Sequence, residues 1–156
     1  MKKLYFILLL FVWAACGSDS GAPSLTPEQE ATQRLANTNS ATWEVSLVTR
    51  NSQQETQFYQ DMTVTFTTEK GFSSSNANDL FPASTTFSFP DEENLGRILL
   101  AGNRPASGVP ITFTRNANTL RLEFTVSAAG AEQETSPVSR IQAIGGSYVL
   151  QFTLRQ

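Results

Sequence analysis

The feature that most constrains this chain is its hydrophobic period. From Thr42 onward, apolar side chains recur at every second position, in one short run after another. Trp43, Val45 and Leu47 alternate with Glu44, Ser46 and Val48. Met62, Val64 and Phe66 alternate with threonines. Thr85, Phe87 and Phe89 share one face of a further run, and Val109, Ile111 and Phe113 do so around Pro110. Leu120, Leu122, Phe124 and Val126 face away from Arg121, Glu123 and Thr125. Tyr148, Leu150, Phe152 and Leu154 close the series. A period of two puts alternate side chains on opposite faces of a strand, and apolar-in, polar-out marks antiparallel strands with one wet face.

Two less regular pieces, "GFSSSN" and "GRILLAG", bring the set to about eight short strands, the pattern of a sandwich or barrel. Turn residues separate them: Glu69-Lys70-Gly71, then 90–94 ("PDEEN"), then Asn116-Ala117-Asn118. Most links are short, which suits a meander better than a Greek key. The expected fold is all-β, an eight-stranded antiparallel up-and-down barrel. Pro110 lacks an N–H, so it belongs at an edge, a bulge or a strand start. The one long link, 127–146, is polar and glycine-rich, with room for a short helical turn around Val138 to Ile141.

Ahead of the strands lies "TPEQEATQRLANTN". Thr26 is suited to cap a helix, with Pro27 at its first position and Gln29 completing a capping box. Glu28 and Glu30 sit where the helix dipole favours acids, and Asn37 and Asn39 end the segment. A short helix of about ten residues is expected here.

The N-terminus reads as an address. Lys2 and Lys3 precede an unbroken apolar run of 12 residues, Leu4 to Ala15. A membrane-spanning helix needs roughly 20. A basic start, a short apolar core and small residues before a cut point describe a secretory signal. Ala14 and Ala15 then lead to Cys16, the only cysteine. Ala14-Ala15-Cys16 resembles the lipobox of bacterial lipoproteins, although Trp13 stands where that family prefers leucine. The resemblance implies lipidation of Cys16 and cleavage before it. It also implies attachment to the cell envelope through acyl chains such as palmitate. Gly17 rather than an aspartate follows Cys16, which by the same resemblance favours the outer membrane, at its periplasmic face or the cell surface. The expected organisation is a signal peptide over 1–15, a tether over 16–24 and one barrel domain over 25–156.

"ATWEV", opening the first strand behind a helix, resembles the start of lipocalin-like barrels, with Trp43 matching the tryptophan that plugs the closed end. The family's glycine two residues earlier is Ala41 here. The resemblance implies an arginine packed on that tryptophan, and Arg155 and Arg140 are the two candidates late in the chain. It also implies a small apolar ligand held in the barrel.

Composition narrows the chemistry. The chain has no histidine, so the commonest general base and metal ligand are both missing. With Lys2 and Lys3 removed, nine basic side chains face fourteen acidic ones, a net charge of about −5. No basic cluster suggests a nucleic-acid partner. Asp91-Glu92-Glu93 is the only acidic run, but it follows Pro90 in a turn without calcium-site spacing. Ser73-Ser74-Ser75 lacks a Gly-x-Ser-x-Gly elbow, and Lys70 is the only base that a serine dyad would have. No catalytic residue, cofactor or metal site is therefore expected, and the protein is read as a monomeric binding module and not an enzyme. If the barrel holds an apolar ligand, the lining is expected where inward residues are small or the strands irregular: Phe72, Ser74, Thr85 and Phe87. The alternative is a packed scaffold that contacts a partner protein or envelope component through its loops, chiefly 101–108 and 128–137.

Overall fold

A computed structural model describes residues 24–127 and 144–156. Cys16, the signal peptide, most of the tether, Arg140, loop 128–137 and the segment Val138 to Ile141 lie outside the described residues.

Helix α1 (Pro27–Ala36) forms where the capping signals place it. The Thr26 hydroxyl accepts from the Gln29 N–H, and the Gln29 side chain accepts from the Thr26 N–H. These reciprocal bonds satisfy two of the donors that every helix start leaves open.

The strands follow in order: β1 (Ser40–Arg50), β2 (Gln53–Gln54), β3 (Thr63–Thr67), β4 (Gly71–Ser75), β5 (Ser84–Ser88), β6 (Arg97–Leu100), β7 (Ile111–Asn116), β8 (Thr119–Val126) and β9 (Gly146–Leu154). Each strand from β3 to β9 pairs antiparallel with the next, β3 pairs back on β1, and β1 pairs with β9. Eight antiparallel strands therefore close into a barrel, and β2 is a two-residue flap on the end of β1. Pro110 stands immediately before β7, so a missing N–H costs no ladder bond.

The core is the barrel's interior. Val64, Phe66, Phe72, Phe87, Ile98, Ile111, Leu120, Leu122, Leu150 and Phe152 are all buried there. Strand β1 departs from strict alternation. Val45 opposes Phe152, but Leu47, not Ser46, opposes Gln151, so Ser46 is the extra residue of a β-bulge. Beyond it the phase inverts. Val48 is buried and Leu47 is not, the reverse of the expected assignment. The physical reason is that a bulge puts two residues opposite one. In "VSLV" both Leu47 and Val48 are apolar, so either phase suits the local pattern.

The barrel has two different ends. At the first, α1 lies against β1 and β3. The second is the loop end. It carries the β1–β2 turn, a 3-10 turn at Thr56–Tyr59, the β4–β5 link 76–83 and the β6–β7 link 101–110.

Candidate functional site

The helix end is plugged. Trp43 is fully buried, and its indole Nε1–H donates to the Leu35 carbonyl of α1 at 2.9 Å. The arginine on its ring is Arg115, with the guanidinium carbon 5.1 Å from the ring centroid. Arg115 comes from the end of strand β7; Arg155 does not take this place, and Arg140, the other candidate, lies outside the described residues. Arg115 also donates to the carbonyls of Gln33, which the Asn37 N–H shares, and of Arg34, both in the last turn of α1. One guanidinium therefore caps the helix and covers the tryptophan. No signal in sequence spacing marks Arg115, because its partners are 72 and about 80 positions away.

The interior is filled. Phe66 packs edge-on against Phe72 at 5.2 Å and Phe87 at 5.6 Å. Phe72 meets Phe81 at 5.7 Å, Phe81 meets Phe124 at 5.5 Å, and Phe124 stacks on Tyr148 at 5.3 Å. Edge-on and offset contacts at these separations are the favourable geometries of aromatic pairs. The chain of rings runs from the middle of the barrel to the loop end.

Of the four residues expected to line a pocket, Phe72 and Phe87 are links in this chain and are 3% and 2% exposed. Ser74 spends its hydroxyl on the Pro82 carbonyl at 2.9 Å. Thr85, directly opposite Phe72 in the ladder, spends its own on the Ala101 carbonyl at 2.9 Å. The structure thus brings Phe72, Thr85 and Phe87 onto one face, but as packed and bonded groups.

At the loop end, the link 76–83 folds inward, burying Ala77, Leu80 and Phe81. The Ala106 N–H donates to the Leu80 carbonyl, which ties this link to 101–110. Beside it, the inverted phase of β1 turns Arg50 to the inner face, opposite Tyr148. Arg50 binds Glu55 through Nε and Nη2 at 2.9 and 2.6 Å. That bond to Glu55 holds the guanidinium above its ordinary pKa. Tyr148 donates to the Ile144 carbonyl at 2.6 Å. Burial, with Tyr59 close by, pushes the Tyr148 phenol well above its ordinary range, and burial raises Tyr59 as well.

The remaining groups considered from sequence lie apart. Lys70 pairs with Glu28 of α1 at 2.5 Å, not with a serine. Asp91, Glu92 and Glu93 are exposed, and Asp91 accepts the Glu93 N–H in a local turn. Among the described residues, no group of three acidic, cysteine or histidine side chains is placed to hold a metal. Glu123 pairs with Arg121 across one strand face, and that bond holds its carboxyl below the ordinary value.

Concavities on the outside of the described barrel include the following three. One of about 260 Å³ runs between α1 and the β3–β4 hairpin. Another, of about 550 Å³, lies beside Pro110 and the end of β8. The third, of about 310 Å³, sits at the loop end between Ser74, Asn76, Asn78, Asp79, Phe81 and Arg104. The sequence pointed to Ser74 and to Arg104 within loop 101–108, but not to Asn76, Asn78 and Asp79 beside them. The run Asn76-Ala77-Asn78-Asp79 was the available signal, since asparagine and aspartate tolerate left-handed backbone. All three take it, with φ of 55°, 50° and 65°. Compared with protein-family models, with curated proteins and with solved structures, the chain matches none.

Proposed function

We propose that this protein is a lipid-anchored envelope protein whose barrel is a filled, non-catalytic scaffold, and that its loop end engages an envelope component. The observation that carries this reading is the continuous chain of aromatic rings from Phe87 to Tyr148. A guest-binding barrel needs interior volume of about 300 Å³ or more for a drug-sized or acyl ligand. An eight-stranded barrel is just wide enough either for its own side chains or for one small ligand. Here Phe66, Phe72, Phe81, Phe87 and Phe124 take up that width. In sequence Cys16 precedes α1, which lies at the helix end, and on this reading the loop end is the end left for a partner.

Two measurements test the reading. Metabolic labelling with a radioactive fatty acid should mark the wild-type protein and not Cys16→Ala; equal label on both removes the anchor. A photo-reactive amino acid placed at Phe58 on the loop-end rim should give adducts in intact cells, while one at Glu92, on the helix-end hairpin, should not. Saturable binding of a fluorescent fatty acid near one equivalent, abolished in Ser74→Phe without loss of stability, would restore the barrel-guest reading in place of this one.

A further inference from the structure

The loop-end rim has chemistry that narrows the kind of component it meets. Asn76 donates through Nδ2 to the Asp61 carbonyl at 3.1 Å, and Asn78 donates to the Phe58 carbonyl at 2.8 Å. Because both partners are carbonyls, both amides are oriented with Nδ2 inward on the loop. Their Oδ1 atoms accept no hydrogen bond among the described residues. Arg104 donates through Nη1 to Asp79 Oδ1 at 3.0 Å. This pair is half exposed and cancels its own charge, yet it keeps N–H donors and a carboxylate oxygen turned to solvent. The 310 Å³ concavity thus offers acceptors and donors side by side, with no net charge. The same loop that presents them carries three non-glycine residues in left-handed backbone, fastened at both flanks. Such conformations persist where the surroundings over-determine them. Phe58, whose carbonyl holds Asn78, is 58% exposed on the same rim.

From these features we infer that the loop-end concavity is a binding site for a neutral glycan. Each sugar hydroxyl both donates and accepts, so it suits a site with mixed, charge-compensated partners. An anionic ligand would meet Asp79 beside Arg104. An apolar one would leave Asn76, Asn78 and Asp79 dry and unpaired, which buried polar groups do not tolerate. The exposed Phe58 ring adds a flat apolar face of the kind on which a pyranose ring stacks. A rigid, pre-ordered loop reduces the ordering cost that weak, shallow sites otherwise carry. This inference rests on the loop-end reading proposed above and names the partner of that surface.

The test titrates the full chain, held in phosphocholine micelles, with neutral hexasaccharides of glucose, mannose, galactose and N-acetylglucosamine by calorimetry. At least one should bind saturably. Asn78→Gly keeps the left-handed backbone and removes the amide; Arg104→Ala removes an exposed side chain. Each should weaken binding about tenfold, the loss expected for one or two hydrogen bonds to the ligand. Phe58→Ala should weaken it as well, with the urea midpoint unchanged. No saturable binding by any of the four sugars overturns the inference, and so does binding that all three variants leave intact. If the sugars fail while Phe58 still crosslinks to a protein in cells, the partner is a protein. The scaffold reading then stands without the glycan. If both fail, both fall.

Discussion

Trp43 holds three elements together: its ring lies in the barrel, its N–H is on α1, and its outer face is under Arg115 of β7. Replacing it with alanine removes a large buried side chain and leaves the Leu35 carbonyl and Arg115 without their partner. Trp43→Ala should cost about 3–5 kcal/mol in urea unfolding. A loss below about 1 kcal/mol would mean that the indole is not buried. The loop end supplies a second test at this scale. The two tyrosines beyond residue 15 are Tyr59 and Tyr148, and both are buried. Burial raises both phenols above 10.0, so the folded protein keeps their protons when the unfolded chain would release them. The stability they confer is complete below pH 10 and is lost as pH climbs above it, by about 1.4 kcal/mol per unit for each phenol. Tyrosinate absorbance in a chain shortened by residues 1–15, which removes Tyr5, should therefore appear together with unfolding, not before it. A smooth titration near pH 10 in the folded protein would place the phenols in solvent.

Between residues and barrel stands the bulge of β1. Because Ser46 is the inserted residue, Val48 points into the core and Leu47 does not. Val48→Asp should unfold the protein, since it buries an unpaired carboxylate. Leu47→Asp should cost on the order of 1 kcal/mol, as a change on a half-exposed face does. The reverse ranking would return β1 to strict alternation. This strand also marks where sequence stops being legible. Six of the eight barrel strands could be read because each carries its own period-two face, β4 and β6 because turn residues bound their less regular runs, and α1 because its capping box lies within four residues. The bulge could not, since Leu47 and Val48 are interchangeable to any local pattern. The inward Arg50 follows from the bulge and was hidden with it. Arg115 over Trp43 and the inward fold of Leu80 and Phe81 depend on partners distant in sequence, so nothing near them announces their role. The same holds for the rim: Asn76, Asn78, Asp79 and Arg104 form one surface only after β4, β5 and β6 have paired.

For the whole molecule, closure is the defining property. Strand β9 pairs with β8 on one side and β1 on the other, so removing it opens two ladders and uncovers Tyr148, Leu150 and Phe152. A chain ending at Gly146 should fail to fold cooperatively, with exposed strand edges and a wet core. A soluble, cooperatively unfolding product of that truncation would exclude closure by β9. The seam also has a place in time. Trp43 is matched with Leu154, the fourth residue of β1 with the last of β9, across the first and last strands of the barrel. Contacts of such long separation form slowly, because a large loop must be closed before they return any energy. During synthesis β1 has no seam partner until β9 has emerged, so the barrel cannot close before its last strand is made. Strand β9 is thus a latch: the barrel stays open until its final strand arrives.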